Sequence, residues 1–313
     1  MRAYVPTGKA HTGQSPIEPH VVLAELPQPR LRPDEALIKV EAYSVNRGET
    51  FKLEEPGASW RPGKDVAGLV VQQAADGSGP EAGRRVVGHP MGAGWAEYAA
   101  VPTSALAELP DAVSSPQAAA LPLAGLTALR LLRAAGPVGG RRILLTGASG
   151  GVGHYVTELA AAAGADLTAV TSSPERGARL RELGAATVVH DVADASGPYD
   201  LVLESTGGSA LPVALSRLRR GGTLIWFGQA SRTPVTLDFF DFFKGPESAT
   251  LRHFHYMDFP ESYADDLAAL VRLVATGRLH PELGRVTDWA DTADTLVDLR
   301  ERRIRGNAVL TVS

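Results

Sequence analysis

The most constraining feature of the sequence is a short apolar run that ends in a cluster of glycines. Residues 143–145, Ile-Leu-Leu, are typical of a buried parallel strand. The glycines that follow are Gly147, Gly150, Gly151 and Gly153. Residues 154–163 then have the alanine-rich composition of a helix. A strand, a glycine-rich turn and a helix N-terminus together form a phosphate site, because the N–H groups of the helix point outward and glycine lets a pyrophosphate come close.

The loop itself reads Ala-Ser-Gly-Gly-Val-Gly over residues 148–153, which is the G-x-G-x-x-G fingerprint with alanine in its first position. It follows a predicted strand, opens a predicted helix and precedes a second strand, as a dinucleotide site requires. The alternative is a glycine turn of purely structural use. We predict a dinucleotide site whose phosphate contacts are Ser149, Gly150, Gly151 and Val152.

The end of the second predicted strand indicates which dinucleotide binds. An NAD site carries a carboxylate there, about 20 residues after the glycines. This chain instead has hydroxyls and a guanidinium, at Thr171, Ser172, Ser173 and Arg176. Such groups bind a 2′-phosphate that a carboxylate would repel, so we expect NADPH, with Glu175 as a nearby feature against it. The alternative is that the serines cap the next helix and the arginine is a solvated surface charge.

Strands and helices alternate at regular spacing from residue 114 onward. The predicted strands are 143–146, 167–171, 187–190, 201–204 and 223–227, and the predicted helices are 154–163, 175–183 and 210–218. This alternation predicts a doubly wound parallel sheet with both faces covered. Ligands bind such sheets at the carboxyl ends of the strands. There the chain places Asp191, Ser205, Thr206 and Gly228.

The flanking regions have a different texture. Residues 1–112 are rich in short strands and turns, which favours a partly closed β-barrel, and residues 308–312 return to strand character. A terminal strand of this kind commonly pairs back into an earlier sheet. We therefore predict a discontinuous catalytic domain, residues 1–115 and 251–313, around a nucleotide-binding domain at 116–250. A further edge strand with exposed aromatic residues is predicted at 233–240, and it suggests a homodimer.

Composition excludes several classes of function. The chain has 313 residues, a net charge of -4 and no cysteine. The absence of cysteine excludes disulfides, thiolate metal sites and a cysteine nucleophile, and the charge gives no reason to expect a nucleic-acid partner. No apolar run approaches a membrane span and the start of the chain lacks a signal-peptide pattern, so a cytoplasmic protein without a membrane partner is expected. His253 and His255 share one face of a predicted strand, but no third ligand is evident, so no metal site is predicted.

Several further segments make the chain similar to the zinc-independent quinone oxidoreductase branch of the medium-chain dehydrogenase/reductase family. Besides the fingerprint, they are 45–49 (VNRGE), 62–68 (PGKDVAG), 94–102 (GWAEYAAVP), 118–128 (AAALPLAGLTA), 204–208 (ESTGG) and Phe227-Gly228. The resemblance covers essentially the whole chain. It implies a GroES-like, partly closed β-barrel catalytic domain and a central Rossmann domain. It also implies hydride transfer from NADPH, in the cleft between them, to a small electron-poor substrate such as a quinone or an α,β-unsaturated carbonyl.

The resemblance further implies chemistry without a metal. Zinc-dependent members have a cysteine where Val45-Asn46 stand and a Gly-His-Glu stretch where residues 63–65, Gly-Lys-Asp, stand. This chain has neither the cysteine nor that histidine, so a metal-assisted alcohol dehydrogenase is not expected. Another group must then stabilise the negative charge that develops on the substrate oxygen.

Four residues are the catalytic candidates. The resemblance places Asn46 and Thr127 beside the nicotinamide, and the Asn46 amide is a candidate hydrogen-bond donor to the substrate. Lys64 is an alternative donor, and Tyr43 is a weaker candidate general acid. The structural alternatives are that Asn46 only satisfies backbone groups in a turn and that Lys64 is solvated.

The resemblance also assigns cofactor contacts outside the fingerprint. Arg176 stands where the family has a basic residue for the 2′-phosphate, and Asp191 stands where it often has a tyrosine. Phe227 matches a family position in the nucleotide-binding domain. Near the C-terminus Asn307 replaces a family lysine that touches the cofactor.

Other functions on the same fold stay open at this point, because fold does not fix function. One is a tailoring enzyme of secondary metabolism, acting as an enoyl reductase or as a cyclase. The other is a non-catalytic regulatory or structural protein that binds NADPH.

Overall fold

The computed structural model describes residues 1–7 and 20–313. These residues divide into two compact units. The first comprises Met1–Leu126 and Pro260–Ser313, and the second comprises Thr127–Phe259.

The described residues form fifteen strands and eight helices. The strands are β1 (Arg2–Pro6), β2 (Val21–Glu25), β3 (Glu35–Val45), β4 (Val66–Gln72), β5 (Arg85–Gly88), β6 (Tyr98–Pro102), β7 (Leu106–Glu108), β8 (Arg142–Leu145), β9 (Asp166–Val170), β10 (Thr187–Val189), β11 (Tyr199–Glu204), β12 (Leu218–Trp226), β13 (Thr250–His253), β14 (Leu283–Asp288) and β15 (Asn307–Thr311). The helices are α1 (Arg47–Lys52), α2 (Ser115–Ala119), α3 (Pro122–Ala135), α4 (Gly151–Ala162), α5 (Pro174–Glu182), α6 (Ala210–Ser216), α7 (Tyr263–Ala275) and α8 (Thr292–Arg300). Short 3₁₀ turns lie at 103–105, 192–194, 239–243 and 289–291.

The first unit is built on a mixed sheet. Its strands lie in the order β14-β15-β3-β4-β5-β7, β6 also pairs with β3, and β1 and β2 form a separate antiparallel pair. The tail strand β15 pairs antiparallel with β3, with Leu310 opposite Tyr43, so the end of the chain completes a sheet formed by its first part. Apolar residues of β3, β4 and β15 pack around the buried ring of Trp95 to form the core. Asn46, one of the catalytic candidates, lies directly after β3.

The second unit is a parallel sheet in the order β10-β9-β8-β11-β12-β13. All five of its strand pairs are parallel. The central strand β8 is completely buried at Ile143, Leu144 and Leu145, as its continuous apolar run predicts. The chain runs outward from β8 to β10, returns to β11 and then runs outward the other way. The doubly wound fold predicted from the sequence is therefore confirmed, and its switch point lies between β8 and β11.

The predicted edge strand at 233–240 is wrong. Residues 233–238 form no strand, and Phe239–Phe243 form a 3₁₀ turn. The Asp238 carboxylate accepts the N–H of Phe240 at 2.9 Å, and such a local side-chain bond competes with a strand ladder. The real edge strand is β13, so the predicted homodimer no longer rests on residues 233–240. The aromatic residues there are indeed exposed, since Phe239, Phe240 and Phe243 keep 69%, 66% and 62% of their surface.

The pair of histidines after β12 is also arranged differently from the prediction. β13 ends at His253, so His255 lies outside the strand and pairs with Asp258 at 3.2 Å. Over residues 1–7 and 20–313, no group of three or more histidine, aspartate or glutamate side chains is placed to hold a metal ion. The same residues contain no helix that is long and apolar enough to cross a membrane.

Candidate dinucleotide site and buried carboxylate pair

The glycine loop after β8 is tight on its inner side and open on its outer side. Gly147 has φ +63°, and a Cβ there would lie 2.5 Å from Ser205 Oγ. A Cβ on Gly153 would collide with the backbone of Ala148, so α4 starts directly against the loop. Gly150 is the N-cap residue of α4 and is exposed, and a Cβ there would meet only Gly147 O, at 3.4 Å. The loop therefore needs glycine to form and leaves the N-terminus of α4 accessible to an anion.

Two hydroxyls tie this loop to the next strand. Thr171, directly after β9, donates its hydroxyl proton to Ser149 Oγ at 2.8 Å. Thr171 and Ser149 are 4% and 8% exposed. The bond therefore lies inside the protein, where it fixes the loop against the end of β9.

The ends of β8 and β11 are joined in the same way. The Ser205 N–H donates to Thr146 Oγ1 at 2.9 Å, and Ser205 Oγ donates to the Thr146 carbonyl oxygen at 3.0 Å. The Glu204 carboxylate is fully buried, which raises its pKa, and it accepts Thr146 Oγ1 at 3.0 Å and the Thr206 N–H at 2.8 Å. These bonds compensate the burial of the carboxylate and hold the switch point rigid.

The end of β12 completes this edge of the sheet. The Phe227 N–H donates to the Glu204 carbonyl oxygen at 2.9 Å, and Trp226 Nε1 donates to the Gly228 carbonyl oxygen at 2.6 Å. A Cβ on Gly228 would lie 3.1 Å from Ser205 Cβ. The backbones at the ends of β11 and β12 thus approach each other with little room for side chains.

In the first unit, Asn46 lies between β3 and α1 and binds two buried carboxylates. Its Nδ2 lies 2.6 Å from Asp65 Oδ2 and 3.2 Å from Glu49 Oε2. Because a carboxylate only accepts hydrogen bonds, the amide nitrogen rather than the amide oxygen must face this pair. Both N–H groups of Asn46 are therefore directed into the protein.

The two carboxylates differ in their surroundings. Glu49 is 2% exposed, and its Oε1 accepts the Gly63 N–H at 2.7 Å. Burial, and then the charge of Asp65, raise the pKa of Glu49 to about 7. Asp65 is fully buried and accepts the Leu123 N–H at 2.9 Å and the hydroxyl of Ser44.

A buried histidine lies next to this pair. His89 Nδ1 lies 2.6 Å from the Lys64 carbonyl oxygen and 3.4 Å from Asp65 Oδ1. A carbonyl oxygen only accepts, so Nδ1 carries a proton and donates it. The side chain is completely inaccessible to solvent.

Comparison with known proteins identifies a family match in each of two segments of the chain. Residues 32–111 match the alcohol dehydrogenase GroES-like domain, and residues 151–275 match the zinc-binding dehydrogenase family. The chain is 35% identical over 203 residues to a chloroplast envelope quinone oxidoreductase homolog of Arabidopsis thaliana, covering 59% of each protein. The chain belongs to the medium-chain dehydrogenase/reductase family, in its quinone oxidoreductase branch.

Two further proteins support this family assignment. A 2-methylene-furan-3-one reductase of Solanum lycopersicum is 34% identical over 217 residues, covering 63% of this chain and 55% of the relative. The match thus spans a little over half the length of both curated relatives. The native structure of a mycobacterial protein complexed with NADPH is 26% identical, with a TM-score of 0.87 and coverage of 99% and 100% of the two chains. The expected GroES-like and Rossmann-type fold is confirmed.

Within this family framework, Tyr43 does not have the surroundings expected of a general acid. It is completely buried and stacks on Trp95, with ring centroids 5.8 Å apart. Its hydroxyl lies 2.6 Å from Thr292 Oγ1, which itself donates to the Trp289 carbonyl oxygen, so Tyr43 is the donor. Burial raises the pKa of Tyr43 well above its usual value. The structure argues against Tyr43 as a proton donor to a substrate.

Asp191 and Asn307 are both engaged in local structure. The exposed Asp191 carboxylate accepts the Ala193 N–H at 2.8 Å and starts the 3₁₀ turn at 192–194. Asn307 is 7% exposed, and its Nδ2 donates to the Glu282 carbonyl oxygen at 3.2 Å. Asp191 thus stabilises a local turn, and Asn307 joins β15 to the residue before β14. Each side chain has a structural role that does not require a cofactor.

The remaining predicted residues lie where the sequence placed them along the elements. Ser172 is exposed and Ser173 is the N-cap residue of α5, although its side chain makes no capping bond. Arg176 is half-buried in the first turn of α5, Lys64 is half-buried between α1 and β4, and Thr127 is 8% exposed in α3.

Sequence reasoning missed three residues of the buried network: Asp65, Ser44 and His89. The signal for Asp65 was present, because it occupies the glutamate position of the family's Gly-His-Glu stretch. Nothing local identifies His89, which lies 24 residues after Asp65 and reaches it only through the pairing of β4 with β5.

Proposed function

We propose that this chain is an NADPH-dependent oxidoreductase that transfers hydride to a quinone or to an α,β-unsaturated carbonyl compound. The observation that carries the proposal is the switch point of the parallel sheet, with its open glycine loop at the N-terminus of α4. The relatives agree with it, since their names are those of a quinone oxidoreductase homolog and a 2-methylene-furan-3-one reductase, and the mycobacterial structure is an NADPH complex.

The residues at the switch point fit a dinucleotide. The N–H groups of Gly151 and Val152 lie in the first turn of α4, where an anion is stabilised by N–H groups that have no acceptor within the helix and by the helix dipole. Gly228 approaches Ser205 so closely that a Cβ there would lie 3.1 Å from Ser205 Cβ, so no larger side chain stands between these two strand ends. When bound, NADPH supplies the hydride, and the protein supplies position and electrostatics.

The acceptor oxygen gains negative charge during hydride transfer and needs a hydrogen-bond donor. The Asn46 amide does not supply it, because its N–H groups face Glu49 and Asp65. We therefore assign Asn46 a positioning role. Lys64 is the donor that we propose for the substrate, and Thr127 a contact beside the nicotinamide.

The direct test is the loss of NADPH absorbance with purified protein, using a benzoquinone and a 2-alkenal in parallel and NADH as the control cofactor. We expect turnover with at least one acceptor and a preference for NADPH. The variant Gly150→Asp places a carboxylate in the predicted phosphate site and should abolish NADPH binding. Gly57→Asp is the matched control, because Gly57 is exposed and a Cβ there meets nothing within 4 Å. A wild-type protein that does not bind NADPH would refute the proposal.

A further inference from the structure

Three phenylalanine side chains of the second unit, Phe239, Phe240 and Phe243, form an exposed apolar cluster that we call the aromatic triad. The rings keep 69%, 66% and 62% of their surface exposed, while their centroids lie 5.6, 5.4 and 6.2 Å apart. Single exposed apolar residues are ordinary on a protein surface, but a contiguous patch of large apolar side chains marks a place where another molecule binds. The triad is therefore a candidate binding surface.

The turn that carries the triad is fixed by local contacts. The Asp238 carboxylate accepts the Phe240 N–H at 2.9 Å, and the Asp241 N–H donates to the Asp238 carbonyl oxygen at 3.0 Å. Lys244 pairs with Asp241 at 3.0 Å. Phe242 is the one aromatic residue of the turn that packs against the core of the second unit. The turn is thus anchored through Phe242 and presents the other three rings to the outside.

A groove lined by arginines, which we call the arginine groove, begins next to the triad. Its volume is about 410 Å³, and its lining includes Arg217, Arg219, Arg220 and Gly245. Gly245 is two residues after Phe243, so their Cα atoms lie no more than about 7.6 Å apart. The arginine groove and the aromatic triad therefore adjoin each other.

The arginine groove has an excess of positive charge. Arg219 Nε donates to the Asp200 carboxylate at 2.6 Å, which lowers the pKa of that carboxyl. Arg217 donates to a neutral acceptor, the Ala193 carbonyl oxygen, at 2.6 Å, and Arg220 is exposed on β12. In the parts of the chain that the structure describes, no carboxylate pairs with Arg217 or Arg220. The groove thus holds two uncompensated cations, in a chain whose net charge is -4.

The other charged residues at this edge of the sheet balance one another. Arg142 lies 3.7 Å from Asp166, and Arg141 donates to the Asp200 carbonyl oxygen at 3.3 Å. Glu247 is a second acidic residue there, and its carbonyl oxygen accepts an N–H of β12 at 2.8 Å. These two cations and two carboxylates leave the positive excess of the groove unchanged.

The triad and the groove lie away from the proposed dinucleotide site. The groove includes Leu218, the first residue of β12, whereas Gly228 follows the other end of the same strand. Ligands of a doubly wound sheet bind at the carboxyl ends of its strands, and the groove lies at the amino end. A molecule bound here therefore leaves the switch point open.

We propose that the aromatic triad and the arginine groove together bind an acidic segment of another protein, one that carries carboxylates beside apolar side chains. Planar guanidinium groups pair with carboxylates through two parallel hydrogen bonds, and the positive excess attracts an acidic partner. The apolar side chains of that segment cover the triad. The concave groove favours a protruding peptide over a lipid bilayer, because a flat surface leaves a groove unfilled.

The experiment selects peptides from a random library displayed on phage, with the full chain as the target. Enriched peptides are then synthesised with a fluorescent label and titrated by anisotropy. We expect enriched sequences that combine aspartate or glutamate with large apolar residues. Their affinity should fall as the salt concentration rises, because exposed charge pairs are screened.

Two variants test the two parts of the surface. Phe240→Ser removes a ring of the triad, and Arg220→Glu reverses a charge of the groove. Each should weaken binding of the enriched peptides about tenfold or more, since aromatic and arginine side chains dominate binding at interfaces. The matched controls are Val286→Ser, a valine on β14 that is 47% exposed, and Arg30→Glu, an exposed arginine of the first unit. Both controls should bind the peptides as the wild type does.

Four results would overturn the proposal. One is that no peptide is enriched, and another is that the enriched peptides bind Phe240→Ser and Arg220→Glu as tightly as the wild type. The third is a wild-type chain that self-associates in sedimentation while Phe240→Ser is monomeric, which assigns the triad to a second copy. The fourth is binding to vesicles of phosphatidylserine and phosphatidylcholine without peptide enrichment, which assigns the surface to a membrane. None of these results bears on NADPH binding, so the proposed function is tested separately.

Discussion

The carboxylates of Glu49 and Asp65 accept hydrogen bonds from the same atom, Asn46 Nδ2, at 3.2 and 2.6 Å. Burial of Glu49, and then the nearby charge of Asp65, raise the pKa of Glu49 to about 7. The same geometry turns the Asn46 amide inward, so the orientation of Asn46 is linked to the ionisation of Glu49.

The first prediction concerns the pH dependence of stability. The pKa of Glu49 is about 7 in the folded chain against an ordinary value of 4.5, so between these two pH values the folded chain keeps a proton that the unfolded chain has released. The contribution of Glu49 to the free energy of unfolding is therefore fully present below about pH 4.5 and is lost as the pH rises through about 7. This contribution is on the order of 3 kcal/mol. Urea unfolding at several pH values should show this fall in the wild type and a much smaller one in Glu49→Gln. Equal slopes in the two proteins would contradict the assignment.

The second prediction concerns the partner carboxylate. Asp65→Asn removes the charge that contributes to the raised pKa of Glu49, so the pH window of the stability loss should move to lower pH. The NH2 group of the new asparagine also faces N–H and O–H groups that donate hydrogen bonds to Asp65 in the wild type. Because it cannot accept those bonds, the substitution should lower the free energy of unfolding by about 1–3 kcal/mol. Asp111→Asn, at an exposed position, is the control. A window that stays at its wild-type position would show that Asp65 has no influence on Glu49.

The third prediction tests the structural role of Tyr43. Tyr43→Phe keeps the stack on Trp95 and removes only the hydroxyl bond to Thr292. We expect a loss of about 1 kcal/mol in the free energy of unfolding and an unchanged kcat. Thermal unfolding and the NADPH oxidation assay measure the two quantities. A drop in kcat of about tenfold or more, in a variant that remains folded, would restore Tyr43 as a general acid.

The parts of the fold that the sequence predicts are those encoded by adjacent residues. β8, the glycine loop and α4 follow one another directly, so an apolar run, a fingerprint and a helix start are enough to place them. The order of the parallel strands follows from their alternation with helices. The wrong prediction of an edge strand at 233–240 shows where a sequence pattern is insufficient. The segment resembles a strand, but the Asp238 carboxylate accepts the Phe240 N–H and a 3₁₀ turn begins there.

The buried network was less accessible to sequence reasoning, because its partners are distant along the chain. Tyr43 meets Thr292 across 249 positions, and Asp65 meets the Leu123 N–H across 58. A sequence motif gives the residue type at a position but not the direction of its hydrogen bonds. For this reason the position of Asn46 after β3 follows from the sequence, whereas the direction of its amide toward Glu49 and Asp65 does not.

The last prediction concerns the bond between Thr171 and Ser149, which the sequence suggested only as two separate cofactor contacts. Because Thr171 Oγ1 donates to Ser149 Oγ inside the protein, its main effect on the cofactor is through the position of the glycine loop. Thr171→Val keeps the shape and removes the donor, so the dissociation constant of NADPH should rise, by up to about tenfold if the full value of one buried hydrogen bond is lost. Thr171→Ser keeps the hydroxyl and should bind NADPH nearly as the wild type does.

Fluorescence titration with NADPH and NADH then separates two mechanisms by which Thr171→Val could weaken binding. Equal weakening of both nucleotides indicates a displaced loop, whereas weakening of NADPH alone would mean that Thr171 contacts the 2′-phosphate directly and that the loop does not depend on this bond.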